Sequence, residues 1–410
     1  MRIIVQKFGG TSVATVEARA AVVKKIKEAM DKGYHSIVVA SAMGRNGDPY
    51  ATDTLINLAK TQNPNITKRD LDALMCCGEL ISCSVLSGVL QKEGIKSLVL
   101  TGGQAGIVTD NTFGSARIIK VDTENLLELI KDGFTPIVCG FQGVTEDNMS
   151  FTTIGRGGSD TTAAAIGAAI NANLVEIYTD VEGIMTTDPR IVPEAIVLDT
   201  ISYGEICQLA HQGAKVIHPR AVEIVMQKNI PMVVRSTFSD APGTMITSDT
   251  RGTTGEIVID DRVASGVSAI KDIAQIRITV PHEDQITSLK VFDRLAQNSI
   301  SVDCLNVHPG EILFTVASND LDKALALLQE ENLQPSHTKG CAKVSVVGDG
   351  MKDVPGVMAG FINALASKNI AILQTVDSIN TISAVVSGER INDAVQVLHD
   401  TFNLARIIRR

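Results

Sequence analysis

Lys7-Phe8-Gly9-Gly10 stands between a β-branched run, Ile3 to Val5, and a helix-like stretch, Val16 to Lys32. Strand, glycine turn and helix N-terminus together make an anion site, because unpaired backbone N–H groups converge where Cβ atoms would otherwise block approach. The segment is not a P-loop, since GxxxxGK[ST] is absent and the lysine precedes the glycines. Taken alone it fits a strand-to-helix turn needing φ > 0 as well as it fits phosphate binding. A second cluster, Thr152 to Asp160 (TTIGRGGSD), also runs into a helix, with Ser159 or Asp160 as N-cap. It adds Arg156, whose guanidinium can grip a carboxylate with two parallel bonds. Two such sites suggest a phosphate donor and an anionic acceptor facing each other. A third stretch, Tyr178 to Arg190, leaves a strand end with hydroxyls, acids and an arginine, where open α/β sheets bind ligands. In isolation such a stretch is more often only a turn.

The elements that must position these groups alternate between short apolar runs and longer helical stretches up to about residue 240, the pattern of βαβ units and a mostly parallel sheet. Strands are expected at Ile3 to Val5, Ser36 to Ala40, Ser97 to Thr101, Thr135 to Cys139, Leu174 to Tyr178 and Met232 to Arg235, with helices at Val16 to Lys32, Leu71 to Lys92 and Asp160 to Ala172. Turn formers crowd residues 240–262, including Asp240-Ala241-Pro242-Gly243 and Ser248 to Gly255, which suits a linker. Beyond it the sequence repeats: Leu295 to Ile300 aligns with Leu365 to Ile370, and Ala324 to Leu328 with Ala394 to Leu398. Each copy reads strand, helix, strand, strand, helix. The expected division is 1–240 catalytic, 241–262 linker, and 263–340 and 341–410 as two small α+β modules.

Composition narrows the function classes. With 410 residues the chain has room for two to three domains at about 150 residues each. Lys plus Arg number 37 against 46 Asp plus Glu, a net charge of −9, and aromatics make up 3% with no Trp. Neither a phosphate-tracking basic face nor a base-stacking platform is supplied, so nucleic acid is not an expected partner. No apolar run approaches the 18 or so residues that span a bilayer, so no membrane partner is expected and the protein is expected to be cytoplasmic. Seven cysteines without a CxxC pair read as reduced core thiols. His211 and His218 read as a polar contact and a helix-end residue, and no metal cluster is expected.

KFGGTSV at Lys7 to Val13, SAMG at Ser41 to Gly44, Gly78-Glu79, TTIGRGGSD, YTDVEGIMTTDPR at Tyr178 to Arg190 and GAKVIHPRA at Gly213 to Ala221 resemble the aspartate kinase family, in order and throughout the catalytic half. Lys343 to Gly348 and Val354 to Val357 resemble its paired ACT modules. The long segment Ser41 to Asp53 and Ile372 to Ser378 are similar to the diaminopimelate-sensitive aspartokinase I type. The resemblance implies an amino acid kinase fold, a mostly parallel sheet sandwiched by helices, followed by two ferredoxin-like α+β ACT modules. It implies phosphoryl transfer from ATP, with Mg²⁺, to L-aspartate.

Carried over motif by motif, the resemblance makes Lys7 the cation on the transferring phosphoryl group, with Gly9 and Gly10 cradling it and Phe8 beside them at the nucleotide, and Asp160 the organiser of Lys7. Arg156 would clamp the substrate α-carboxylate and Glu79 accept its α-ammonium, with Ser41 and Thr52 adding contacts. Thr179, Asp180, Met185, Arg190, Lys215 and Val216 would hold the nucleotide; many members carry an aromatic residue where this chain has Met185. The ACT pair implies an amino-acid effector, meso-diaminopimelate ahead of lysine or threonine, and a homodimer or higher oligomer. Effector contacts are expected at Asn306, Gln374 and the turn Asp349 to Asp353 with Met351, and a strand at Leu404 to Ile408. A related acetylglutamate or glutamate kinase, and a non-enzymatic amino-acid sensor on a dead kinase fold, remain as alternatives.

Overall fold

The computed structural model describes residues 1–147, 149–248, 263–280, 285–351 and 354–405. They form two compact units that are not sequential blocks. The first comprises Met1–Ile184, Val197–Ala210 and Lys215–Val258; the second comprises Met185–Ile196, His211–Ala214 and Ile259–Arg410.

An eight-stranded sheet organises the first unit, in the order Thr200–Ser202, Thr244–Thr247, Met232–Ser236, Leu174–Thr179, Ile3–Phe8, His35–Ala40, Thr135–Cys139, Ser97–Leu100. All pairings are parallel except that of Met232–Ser236 with Thr244–Thr247. Thus part of the expected linker is a sheet strand, while residues 249–262 lie outside the described residues. Val5, Ile37, Val38, Ile137, Val138 and Val175 are fully buried, because helices cover both faces of a parallel sheet. Thr15 and Thr67 cap the helices Val16–Asp31 and Lys68–Lys92 by accepting the N–H groups of Ala18 and Asp70.

Lys68–Lys92 is long and apolar enough to cross a membrane by composition, although Glu79 interrupts its apolar stretch. Met75, Cys83, Leu86 and Leu90 are nevertheless buried within the fold, with Asp72 and Glu79 on the same inward side. It is a core helix. Among the cysteines, Cys77 on its outer face is exposed and Cys207 is half-buried; the other five are buried and all seven are free thiols. A smaller sheet, Ile118–Val121, Ile107–Thr109, Gln142–Thr145 and Phe151–Thr153, has strands too short to stand out in the sequence.

The second unit shows the internal repeat directly. Gly266–Thr279, Gln285–Gln297, Asp303–His308, Glu311–Ala317 and Leu321–Glu330 form one strand-helix-strand-strand-helix module, and Ser336–Val347, Val357–Ser367, Gln374–Asp377, Thr381–Ser387 and Ile391–Thr401 the other. The modules share one six-stranded sheet, joined by antiparallel pairing of Gly266–Thr279 with Ser336–Val347. Val192, from Met185–Ile196, is buried in the second module's core with Val346, Phe361 and Leu398. That segment is fastened further by a 3.0 Å bond between Thr186 Oγ1 and His399 Nε2 and by the Val267 N–H to the Thr186 carbonyl. Asn403 has positive φ and Leu404 is buried in a turn; residues 406–408 of the expected terminal strand lie outside the described residues.

Candidate active site

Parallel strands deliver their carboxyl ends to one edge of the sheet, and there Phe8, Ala40, Cys139 and Thr179 hand over to loops carrying the polar groups. Phe8 stacks on Tyr178 at 4.6 Å between ring centroids, and the Gly9 N–H donates to the Tyr178 carbonyl, fixing the base of the first loop. Neither Gly9 nor Gly10 has a positive φ, so the turn does not need glycine for its dihedrals. Glycine is needed at position 10 for space: a Cβ there would lie 2.6 Å from the carbonyl oxygens of both Ala42 and Gly44.

Gly157 is the reverse case, with φ of 69° in the left-handed region. It caps the helix Gly158–Ala169, so the expected caps Ser159 and Asp160 fall inside the first turn. The helix ends at Ala169, two residues before Asn171 turns left-handed, rather than at Ala172. Asp160 thereby sits in the first turn of that helix. Its Oδ1 lies 2.6 Å from Lys7 Nζ, both side chains being largely shielded. Ser41 Oγ donates to Ser159 Oγ at 2.9 Å, tying the second strand's loop to the same helix.

Glu79 reaches the site from Lys68–Lys92. Its Oε1 accepts the Ala42 N–H at 3.1 Å, while Oε2 is buried with no hydrogen-bond partner among the described residues. Burial raises its carboxyl to about 8, the Ala42 N–H acting in the opposite sense. A buried acid with one unpartnered oxygen is a ready receptor for a cation. Gly78 allows this proximity, since a Cβ there would stand 2.9 Å from the Ala42 Cβ.

Lys7, Ser41, Thr52, Glu79, Arg156 and Asp160 all line one cavity of about 210 Å³. The structure therefore brings together six residues singled out in the sequence. Arg156 is exposed, and among the described residues no hydrogen bond or ion pair restrains its guanidinium. The nucleotide candidates are more dispersed. Thr179 ends the strand Leu174–Thr179 and Asp180 follows it, paired to Arg45; Lys215 is exposed and Val216 half-buried in the loop before Pro219–Gln227. Met185 and Arg190 fall in Met185–Ile196 of the second unit, where Arg190 forms a two-toothed pair with Asp188 at 2.9 and 2.7 Å. His218 caps Pro219–Gln227 through Nδ1, and His211 closes Tyr203–His211. Among the described residues no cluster of His, Cys, Asp and Glu could hold a metal ion.

The sequence reading missed Phe141, which also lines the cavity with φ of 70°. Left-handed backbone in a bulky residue is costly and concentrates at functional sites, but no residue-type signal announces it. In the second unit, Gln374 Nε2 donates to Asn306 Oδ1 and the Cys304 carbonyl, and Gln374 Oε1 accepts from Gln275 Nε2 at 3.1 Å. Asn306 and Gln374 are thus together. Met351 packs in the second module's core, and residues 352 and 353 of that turn lie outside the described residues.

The sequence matches the amino acid kinase family over residues 2–236 and an ACT domain over 336–400. It is 45% identical over 406 residues to Aspartokinase 1 of Bacillus subtilis (strain 168), covering 99% of this chain and 100% of that protein. The chain belongs to the aspartokinase family. Aspartokinase of Geobacillus stearothermophilus is 39% identical over 412 residues, covering 99% of this chain and 98% of that one. Among solved structures, E. coli aspartokinase III in complex with aspartate and ADP (R-state) superposes with a TM-score of 0.79 at 25% identity, covering 98% of this chain and 99% of that one. The same enzyme in complex with lysine and aspartate (T-state) gives a TM-score of 0.74 at 25% identity, with the same coverage. The protein is accordingly an ATP-dependent kinase with an amino acid kinase fold and C-terminal ACT domains.

Proposed function

We propose that this enzyme transfers the γ-phosphoryl group of MgATP to the β-carboxylate of L-aspartate, giving 4-phospho-L-aspartate, the first step toward diaminopimelate, lysine, methionine and threonine. The observation that carries the reading is the single cavity holding a free guanidinium, a buried carboxyl with a spare oxygen, and a lysine at a strand end. Those groups match the α-carboxylate and α-ammonium of an α-amino dicarboxylate and the phosphate it attacks. The relatives' names, and the aspartate and ADP bound to E. coli aspartokinase III, support the same substrates.

A substrate carboxylate with an ordinary pKa near 3.9 is already ionised at neutral pH, so it needs no general base, and the task is to bring two anions together. Lys7 neutralises charge on the phosphoryl group, and Asp160 holds Lys7 Nζ at the strand end. Arg156 grips the α-carboxylate and Glu79 receives the α-ammonium, leaving the β-carboxylate directed at the donor. Ser41 and Thr52 add hydroxyl contacts; Phe8, Gly9, Gly10, Thr179, Asp180, Met185, Arg190, Lys215 and Val216 serve the nucleotide. When bound, Mg²⁺ would supply charge neutralisation at the phosphates. With no acidic cluster among the described residues, phosphate oxygens and water would supply most of its ligands, as suits an octahedral ion that dehydrates reluctantly.

On the same reading residues 1–240 catalyse, while 263–340 and 341–410 sense an amino acid through Asn306 and Gln374. A ligand with two carboxylates and two ammonium groups, meso-diaminopimelate, suits a cluster of amides. The oligomer would be at least a homodimer, and seven free thiols fit a reducing cytoplasm. Aspartate-dependent trapping of acyl phosphate as hydroxamate, with and without lysine, threonine or meso-diaminopimelate, tests both halves. Turnover with aspartate but not glutamate or acetylglutamate is expected, inhibited by diaminopimelate. No turnover in any mixture would leave the sensor alternative standing.

A further inference from the structure

Asp72 is fully buried on Lys68–Lys92, two turns before Glu79 and on the same inward face. Among the described residues its hydrogen-bond partners, Gly114 and Thr153, do not line the cavity, and nothing in the catalytic reading above uses it. Its carboxylate is nevertheless fully engaged. Oδ2 accepts the N–H groups of Gly114 and Thr153, each at 2.9 Å, and Oδ1 accepts the Thr153 hydroxyl at 2.8 Å. Thr153 is the last residue of Phe151–Thr153, and three residues later the chain places Arg156 at the cavity. One rigid helix therefore carries Glu79 directly and grips the root of the Arg156 loop through Asp72.

We propose that Asp72 is a positioning residue that sets the spacing between Arg156 and Glu79, and so determines how tightly the amino-acid acceptor is held. The inference rests on the assignment of those two residues to the acceptor's α-carboxylate and α-ammonium. A buried aspartate with three accepted bonds and no cationic partner among the described residues acts through geometry. Its bonds need acceptor atoms at a fixed distance from the helix, not a charge.

That distinction gives the test: full-length enzyme, steady-state kinetics in aspartate and in ATP, for Asp72→Asn, Asp72→Glu and Asp72→Ala. Asparagine preserves the reach. Its oxygen can accept both N–H groups while its amide donates to the Thr153 hydroxyl, which turns from donor to acceptor. Glutamate preserves the charge but lengthens the side chain by one methylene. Positioning predicts that Asp72→Asn stays within about threefold of the parent in aspartate KM. Asp72→Glu and Asp72→Ala should raise aspartate KM at least about tenfold while ATP KM changes less than about twofold, an effect of misplaced binding groups. If Asp72→Ala does not fold, the contrast of asparagine with glutamate decides alone. The reverse order, glutamate tolerated and asparagine impaired, would show that charge matters and overturn the proposal. Equal kinetics across variants that differ only in Tm would overturn it too, reducing Asp72 to a stabilising contact. Arg156→Ala in the same series separates the levels: unchanged aspartate KM there removes the clamp assignment itself, whereas a raised KM there with no response at Asp72→Glu removes only the positioning role.

Discussion

Lys7 Nζ and Asp160 Oδ1 meet at 2.6 Å, joining the end of the central strand Ile3–Phe8 to the first turn of Gly158–Ala169, with each side chain only 12% exposed. The lysine is thus held in place before any phosphate arrives. Lys7→Ala should lower kcat by at least about a hundredfold, the scale of losing one preorganised electrostatic donor, with a smaller change in ATP KM. Steady-state kinetics with both substrates varied provide the check; a loss confined to ATP KM would make Lys7 a binding group only.

Glu79 gives a pH signature. Its carboxyl is raised from 4.5 to about 8 by burial, so the unfolded chain ionises it near pH 4.5 while the folded chain keeps the proton until about pH 8. Its contribution to stability is therefore full below 4.5 and is lost as pH rises to about 8, a change on the order of a few kcal/mol. Thermal melts of the ligand-free enzyme across that window should show the decline, and Glu79→Gln, with no proton to lose, should remove it. An unaltered slope in the variant would assign the decline to other groups.

The same carboxyl predicts proton release on acceptor binding. An ammonium group set against Oε2 favours the ionised form, so aspartate binding near pH 7 should expel up to one proton. Calorimetric titration in buffers of different ionisation enthalpy measures this directly. Heats independent of buffer would mean that Glu79 does not meet the amine.

Gly157→Ala isolates a collision. The left-handed φ alone costs about 1–3 kcal/mol for a residue with Cβ, and here that Cβ would lie 2.3 Å from the His218 Cβ. Gly133 has φ of 78° with nothing within 4 Å, so Gly133→Ala bears the strain without the clash. Denaturant midpoints should fall further for Gly157→Ala, with aspartate KM raised in that variant alone.

In the second unit, Gln374→Ala and Asn306→Ala should each raise the effector concentration for half-inhibition by about tenfold, roughly the loss of one or two hydrogen bonds. Dose–response curves with meso-diaminopimelate, lysine and threonine would reveal which amino acid the cluster serves. Identical curves in parent and variants would move the effector site elsewhere.

What could be read from the sequence was what residue type announces. Lys7 beside two glycines and Arg156 among three are unusual enough to stand out, and both reach the cavity. Glu79 needed the motif around it, because an acid within a helix ordinarily reads as a solvated charge. Asp72 was invisible for that reason, since only the fold turns its side chain inward toward Thr153. Gly9 and Gly10 suggested positive φ, whereas the crowding that demands a glycine comes from Ala42 and Gly44, more than thirty residues along the chain. The left-handed Phe141 and the three-residue strands of the small sheet depend on tertiary contacts that local preference does not encode. The repeat was plain from Leu295 and Leu365, yet nothing local foretold that both copies would share a sheet.

The membership of Met185–Ile196 in the second unit bears on how the polypeptide is made. Val192 leaves the ribosome well before Val346, Phe361 and Leu398, the residues that enclose it. Throughout that interval the nascent chain carries a greasy strip with no cover, and the loop bearing Thr186 lacks His399 as its anchor. Expression of the catalytic half on its own, ending near residue 262, would leave this strip permanently bare. Such a fragment should aggregate unless Ile191 and Val192 are made polar or the missing half is supplied in trans.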